Sequence, residues 1–393
     1  MNKSKNLLAF GVIAALGLAA CGSDDDGAAT TEPATDDTAM DETMDTTMDT
    51  TMDSAMTEDS AAEGSGEVAT GDFNVGLTYD IGGRGDQSFN DSAAVGVERA
   101  TEEIGVSVSE LVPNADGSDR PELLQLQADQ SELVIGVGFL FADDVVAAAA
   151  DNPDVNFAVI DDAMLDFDNG GVPRCDNCAG LTFAEEQGSF LVGAAAALKS
   201  ETGNVGFIGG VGGFGLIEKF EAGFEAGAKA VNPDIEIQSQ YITEAPDFDG
   251  FFAPDRAKEI ALTFYDNGAD IIYHAAGGSG AGLFEAALEQ SEAGGSKVWG
   301  IGVDSDQYLT VDPAVQEYVL TSMIKRVDTA VFEIINTQAA GEFEAGNVVY
   351  DLSDDGIGYS TSGGYVDDIA DQLEDFKSQI IAGDIVVPTT PGG

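Results

Sequence analysis

The residues of this chain that could do chemistry sit in a few short, glycine-rich stretches. They are Asp80-Ile81-Gly82-Gly83-Arg84-Gly85-Asp86-Gln87-Ser88-Phe89-Asn90, Asp161-Asp162, Gly209-Gly210-Val211-Gly212-Gly213-Phe214-Gly215, His274 to Gly280, and Asp304-Ser305-Asp306-Gln307. Their side chains are carboxylates and amides, separated by glycine. No stretch sets a serine, threonine or cysteine beside a plausible base, so nucleophilic catalysis has no constellation to work with. Carboxylates and amides suit another task, which is to read hydroxyl and amino groups of a neutral polar ligand. Glycines let backbone amides come close to it.

Three signals invite a sharper reading. Gly210-x-Gly212-x-x-Gly215 follows a predicted strand and opens a predicted helix, the context a dinucleotide fingerprint requires. The ribose-binding acid would have to be Asp234 or Glu236, next to Asn232-Pro233, which reads as a loop. A tight strand–helix turn in which glycines let the backbone approach a ligand is the simpler reading. Cys175-Asp-Asn-Cys178 lacks the second pair a zinc ribbon needs, and it does not open a helix as a thioredoxin-like motif should. It reads as a small structural disulfide in an exported loop. The single histidine, His274, at a strand end, reads as a cleft-lining or packed residue rather than a catalyst.

Something must position those stretches. Apolar runs of strand length occur at Phe73–Tyr79, Val106–Val112, Leu133–Val137, Phe157–Ile160, Val205–Ile208, Ile235–Tyr241, Ile271–Tyr273, Val298–Val303 and Tyr318–Met323. Helix-period segments lie between them at Ser92–Glu103, Glu186–Lys199, Phe220–Ala230, Asp255–Tyr265, Gly282–Glu289 and Asp328–Ala340. Such alternation predicts an α/β protein with doubly wound parallel sheets, and the number of strands predicts two Rossmann-like lobes. The expected division is 71–182 for the first lobe, with about 320–345 returning to it. The second lobe takes 183–319, with about 346–390 returning. In open α/β sheets ligands bind beyond the carboxyl ends of the strands, where these stretches fall.

The chain has 393 residues, with 72 Asp and Glu against 15 Lys and Arg, for a net charge of −57. So few cations exclude a nucleic-acid-binding face or a docking surface for anionic lipid headgroups. Residues 1–20 read as a leader: Lys3 and Lys5 precede a short apolar run from Leu7 to Ala20. The run ends in Leu18-Ala19-Ala20-Cys21, which resembles a bacterial lipobox and implies cleavage before Cys21 and acylation of its thiol. Residues 21–70 read as a disordered tether, since residues 22–70 carry fifteen acidic residues, no Lys or Arg and one Pro. Met40, Met44, Met48, Met52 and Met56 recur within it. Without Cys or His beside them they read as a repeat-expanded spacer rather than a copper site. Beyond residue 70 the body keeps 57 acidic and 13 basic residues, a net of −44.

Taken in order, several motifs carry a resemblance. Asp80-Ile-Gly-Gly…Asp86-Gln-Ser-Phe89-Asn90, Phe157-Ala-Val-Ile-Asp161, Val205-Gly-Phe-Ile-Gly209-Gly210 and Phe220-Glu-Ala-Gly-Phe-Glu-Ala-Gly227 are four of them. Gly268-Ala-Asp-Ile-Ile-Tyr-His-Ala-Ala-Gly277-Gly278-Ser-Gly280, Trp299-Gly-Ile-Gly-Val-Asp304-Ser-Asp-Gln307 and Thr321-Ser-Met-Ile-Lys325-Arg326-Val-Asp328 follow. From Phe73 to about Ile381 the body resembles the basic membrane protein family of substrate-binding lipoproteins, which serve nucleoside ABC transporters. The resemblance implies a type I periplasmic-binding-protein fold, two lobes joined by three crossovers. It implies no cofactor and no catalysis, but a lipid-anchored monomer outside the cytoplasm, on the cell membrane, that delivers a purine nucleoside to permease subunits.

The resemblance also implies roles. Phe89 would stack on the base, and a second aromatic from the other lobe, Phe252, would close the sandwich. The stretch Asp247–Pro254 is longer than the family's usual one, which leaves Phe251 and Phe248 open for that place. Asp80, Asn90 and Asp161 would read polar edges, Asp304 would accept from both hydroxyls of a diol, and Lys325 would donate to ribose oxygens. Gly278 would let backbone amides approach. The alternatives are a sugar or other small-metabolite receptor or sensor of the same fold and, from another class, a nicotinamide-dependent oxidoreductase.

Overall fold

The runs Leu133–Val137, Phe157–Ile160 and Val205–Ile208 are continuously apolar rather than alternating, the pattern of strands covered by helices on both faces. A computed structural model describes residues 68–392. The predicted leader, Cys21, the methionine repeat and nearly all of the tether lie outside the described residues. The elements of the first half run β1 (Asn74–Thr78), α1 (Phe89–Glu103), β2 (Ser107–Leu111), α2 (Arg120–Ala128), β3 (Leu133–Gly136), α3 (Ala142–Asp151), β4 (Asn156–Ile160), β5 (Leu165–Asp166), β6 (Val172–Pro173) and β7 (Cys178–Phe183). Then come α4 (Glu185–Lys199), β8 (Asn204–Gly212), α5 (Leu216–Val231), β9 (Glu236–Glu244), α6 (Pro254–Asp266), β10 (Ile271–Ala275), α7 (Ala281–Gly294), β11 (Trp299–Asp304) and α8 (Gln307–Thr310). The chain ends with β12 (Val319–Lys325), α9 (Val327–Ala340), β13 (Gly346–Tyr350), β14 (Ile357–Tyr359) and α10 (Ala370–Ile381).

Two six-stranded sheets result. The first has the order β2-β1-β3-β4-β7-β13 and is parallel throughout. The second has the order β9-β8-β10-β11-β12-β14, with only β14 antiparallel. In each, the strand order reverses beside the lobe's first strand, so each sheet has a switch point where the following loops diverge. These are the β1/β3 and β8/β10 positions, and the first and third predicted stretches leave from them.

All nine predicted strands are present. The unpredicted β7, Cys-Ala-Gly-Leu-Thr-Phe, is rich in small residues, and only its place between β4 and β13 makes it a strand. The lobe boundaries need correction at two places. Residues 319–325 were expected to be mostly returning to the first lobe, yet β12 lies inside the second sheet with every residue buried. Its apolar run continues the parallel order beside β11, and the chain crosses only after Lys325. The return is then α9, packed on α1, and β13, paired to β7, so 346–350 belongs to the first lobe. The crossovers are Phe183–Glu185, Lys325–Val327 and the segment from Tyr350 to Ile357.

Glycine sets how closely the second lobe's helices pack. A Cβ at Gly193 would strike the backbone of Phe224, and one at Gly223 or Gly227 the backbone of Glu186 or Phe190. Helices α4 and α5 therefore touch main chain to main chain, which is why small residues recur in the Phe220–Gly227 motif.

Candidate binding site

The residues expected to hold a ligand converge. Asp80, Phe89, Asn90, Asp161, Phe252, Gly278, Asp304 and Lys325 all line one cavity between the two lobes. Its empty volume is about 640 Å³, solvent mouth included.

The first loop is braced by its own side chains. Asp86 accepts from the backbone amides of Ser88, Asn90 and Asp91, which satisfies the open N-terminus of α1. Asn90 accepts from the Asp80 amide at 2.9 Å and donates to Asp86 at 3.2 Å. Most of its hydrogen-bonding capacity is thus spent holding the loop, and one N–H remains. Asp80 accepts only from its neighbour Ile81 among the described hydrogen bonds, and its other oxygen faces Gly138. Burial pushes the Asp80 carboxyl up to about 6.

Two of the carboxylates stand on strained backbone. Asp161 and Asp304 have φ of 70° and 64°, a region that residues with a Cβ rarely enter. Asp304 is the middle of a three-residue turn, closed by the Ser305 amide donating to the Val303 carbonyl at 2.8 Å. The turn aims its carboxylate across the cleft, where the Ser88 hydroxyl donates to it. Its second oxygen has no donor among the described residues. Burial drives the Asp304 carboxyl up to about 7, against the pull of Lys325 and Ser88.

Lys325 is 2 % exposed, and its ammonium lies between Asp161 and Glu185, at 2.7 Å and 3.2 Å. It also sits 5.2 Å from the centre of the Phe89 ring, 4.9 Å from Phe183 and 5.6 Å from Phe220. Burial alone would lower its pKa, but the carboxylates of Asp161, Glu185 and Asp304 outweigh that and hold the ammonium charged. Glu185 in turn binds Lys219, which also donates to the Phe183 carbonyl at 2.7 Å. Glu185 and Lys219 carried no signal in the sequence, because Glu185 reads as an ordinary first-turn residue of a helix.

Phe252 is 54 % exposed, and its ring lies where a Cβ of Gly82 in one lobe or Gly278 in the other would stand. Gly278 therefore makes room for that ring. Phe251 also lines the cavity but packs against Gly210, whereas Phe248 lies outside the lining and faces Phe139 and Phe214. His274 is fully buried, with Nε2 2.8 Å from the Gln307 side-chain oxygen, and burial lowers its pKa to about 4. It is a packed residue. Cys175 and Cys178 are joined as a disulfide. The glycine turn ahead of α5 is no phosphate cradle, because Glu218 already accepts from the Gly213 and Gly215 amides at 2.6 Å and 2.8 Å.

Among the described residues only one cation, Lys325, lines the cavity, against Asp80, Asp86, Asp161 and Asp304. Arg84 is committed to Glu98 and Glu110. The arrangement can take hydrogen-bond donors on a flat apolar body, and it disfavours an anion.

Comparison with known proteins agrees with this architecture. Residues 73–391 match the family described as ABC transporter substrate-binding protein PnrA-like. A Listeria innocua protein named CD4+ T-cell-stimulating antigen is 35% identical over 333 residues, covering 81% of this chain and 89% of that one. The ABC transporter nucleoside-binding protein BmpA of Lactococcus lactis is 33% identical over 337 residues, covering 83% and 91%. Among solved structures, an ABC transporter solute-binding protein from Aeropyrum pernix superposes with a TM-score of 0.68 at 27% identity, over 80% of this chain and 93% of that one.

Proposed function

The chain belongs to the PnrA-like family of ABC transporter substrate-binding proteins, and on that premise we propose that it captures a purine nucleoside in the interlobe cavity for uptake. It acts as a receptor and not as a catalyst. The observation that carries this reading is the pairing, in one cavity, of the Phe89 and Phe252 rings with carboxylates that lack a full set of protein donors. The relative named as nucleoside-binding supports it.

In this reading Phe89 and Phe252 sandwich the base. Asp80 and the spare N–H of Asn90 read its polar edge. The open oxygen of Asp304 accepts from the ribose diol, sharing that carboxylate with Ser88. Lys325 donates to ribose oxygens while Asp161 and Glu185 hold it in place. Cys21 carries the lipid that anchors the protein on the outer face of the cell membrane, and the closed monomer docks on permease subunits.

The test is to purify the protein natively, denature it and identify the released small molecules by mass spectrometry. A purine nucleoside is expected in near-stoichiometric amount. A sugar in its place would assign the cavity to a different solute, and a nicotinamide cofactor would overturn the receptor reading.

A further inference from the structure

Polar side-chain contacts between the lobes at the cleft include Ser88 with Asp304, Lys325 with Asp161, and the Gln307 side chain donating to the Gln87 carbonyl. One group is different. Phe139, on the single turn Phe139–Phe141 that follows β3 in the first lobe, stacks on Phe214 of the second lobe with ring centres 4.6 Å apart and planes at 26°. It also meets Phe248 at 6.0 Å, edge to face. Phe214 and Phe248 are themselves 6.1 Å apart, and Phe214 meets Phe251 at 6.4 Å. Phe139 and Phe251 line the cavity as well.

The mounting of these rings is unusual for core packing. None of Phe139, Phe214 and Phe248 is fully buried, and none stands on a strand or an α-helix. Phe214 sits between Gly213 and Gly215, at φ of 94° and 93°, in a turn tied down by Glu218. A left-handed residue on each side is something only glycine supplies at little cost. The glycine-rich turn that sequence alone offers as a ligand cradle is thus a rigid mount for one ring. Phe139 is placed likewise, after Gly138 at φ 105°.

We propose that Phe139, Phe214 and Phe248 form an aromatic latch across the cleft, and that this latch sets how long the bound solute is retained. Rings contributed by opposite lobes must part whenever the cleft opens, so their contact stabilises only the closed form. Such a contact slows release and leaves encounter with an open cleft nearly untouched. The retention part rests on the receptor reading above; the latch itself does not depend on which solute is bound.

The kinetic test is stopped-flow binding of guanosine to the wild type and to Phe139→Ala, Phe214→Ala and the double variant. Each single change should raise the dissociation rate about three- to tenfold, the worth of one aromatic pair. The association rate should stay within about twofold. The double variant should be little worse than Phe139→Ala, which already removes the ring contacts to both Phe214 and Phe248. Phe139→Leu keeps apolar bulk without stacking, should fall between wild type and alanine, and serves if the alanine variant fails to fold. A second arm needs no ligand assignment: spin labels at Asp151→Cys and Glu292→Cys, exposed positions on the two lobes, in a Cys21→Ser chain. Their distance distribution should shift on adding Phe139→Ala. Unchanged dissociation, or rates that multiply in the double variant, would overturn the latch, as would an unshifted distribution. Failure of the wild type to bind guanosine would count against the nucleoside reading alone, and the spin-label arm would then decide the latch.

Discussion

Lys325, at the end of the last parallel strand of one lobe, holds Asp161, at the end of a strand of the other, with both carboxylate oxygens within 2.8 Å of its nitrogen. The contact joins the lobes at the floor of the cavity, one residue before the chain crosses back at Arg326. Charges this deeply buried are stable only together, since each would otherwise lose its water without compensation. Glu185 and Lys219 extend the set along another crossover.

Replacing Lys325 with Met should therefore cost about 3–5 kcal/mol of folding stability, because Asp161 and Glu185 are left buried without their ammonium. Urea denaturation of the ligand-free protein measures it. A loss below about 1 kcal/mol would show that the two carboxylates do not need their cation.

Phe89→Ala should weaken nucleoside binding by about 1–3 kcal/mol, roughly 5- to 150-fold, the worth of one base–aromatic stack. Isothermal calorimetry with guanosine and adenosine reads the change directly. Affinity equal to wild type for both would take Phe89 out of the site.

Proton linkage gives a third expectation. Burial raises Asp304 to about 7 and Asp80 to about 6, above the value near 4 of an unfolded aspartate. Between pH 4 and 7 these two carboxyls hold protons in the folded protein that they lack in the unfolded chain, while His274, lowered to about 4, works in the opposite sense and offsets part of the effect. The carboxyls' contribution to stability is present at low pH and is lost as pH rises through the folded values. Thermal unfolding of ligand-free protein should show a loss on the order of 1–3 kcal/mol between pH 5.5 and 8 from Asp304, and Asp304→Asn should flatten it. Ribose hydroxyls donate to the ionised carboxylate, so guanosine affinity should rise over the same interval. Asp304→Asn should hurt ribonucleosides more than 2′- or 3′-deoxynucleosides. Equal losses for all three would place the diol elsewhere.

A 5′-monophosphate should bind far more weakly than its nucleoside. Its charge would enter a cavity that four aspartates and one committed lysine line, and the amides ahead of α5 already serve Glu218. Because the opposition is local, it should persist when salt is raised and the Debye length falls below about 8 Å. Paired titrations of guanosine and its 5′-monophosphate at two ionic strengths provide the check, and comparable affinities at both would sink the claim.

What the sequence determined by itself follows from one regularity. Apolar runs of strand length fix where parallel strands end, and the residues just beyond those ends face the cleft. Asp80, Asp161 and Asp304 were legible for that reason, as were Phe89 and Asn90 at the start of the following helix. Tertiary structure decided what those groups touch. A carboxylate read as free to bind ligand turns out to be paired, as Asp161 is with Lys325, because partners arrive from strands 164 residues apart. The lobe that owns 319–325 was likewise undetermined, since a buried strand looks the same whichever sheet receives it. Phe139 and Phe214 gave no local signal at all. Their contact exists only where two separately folded lobes meet, and no periodicity within either segment records the shape of the surface it will face.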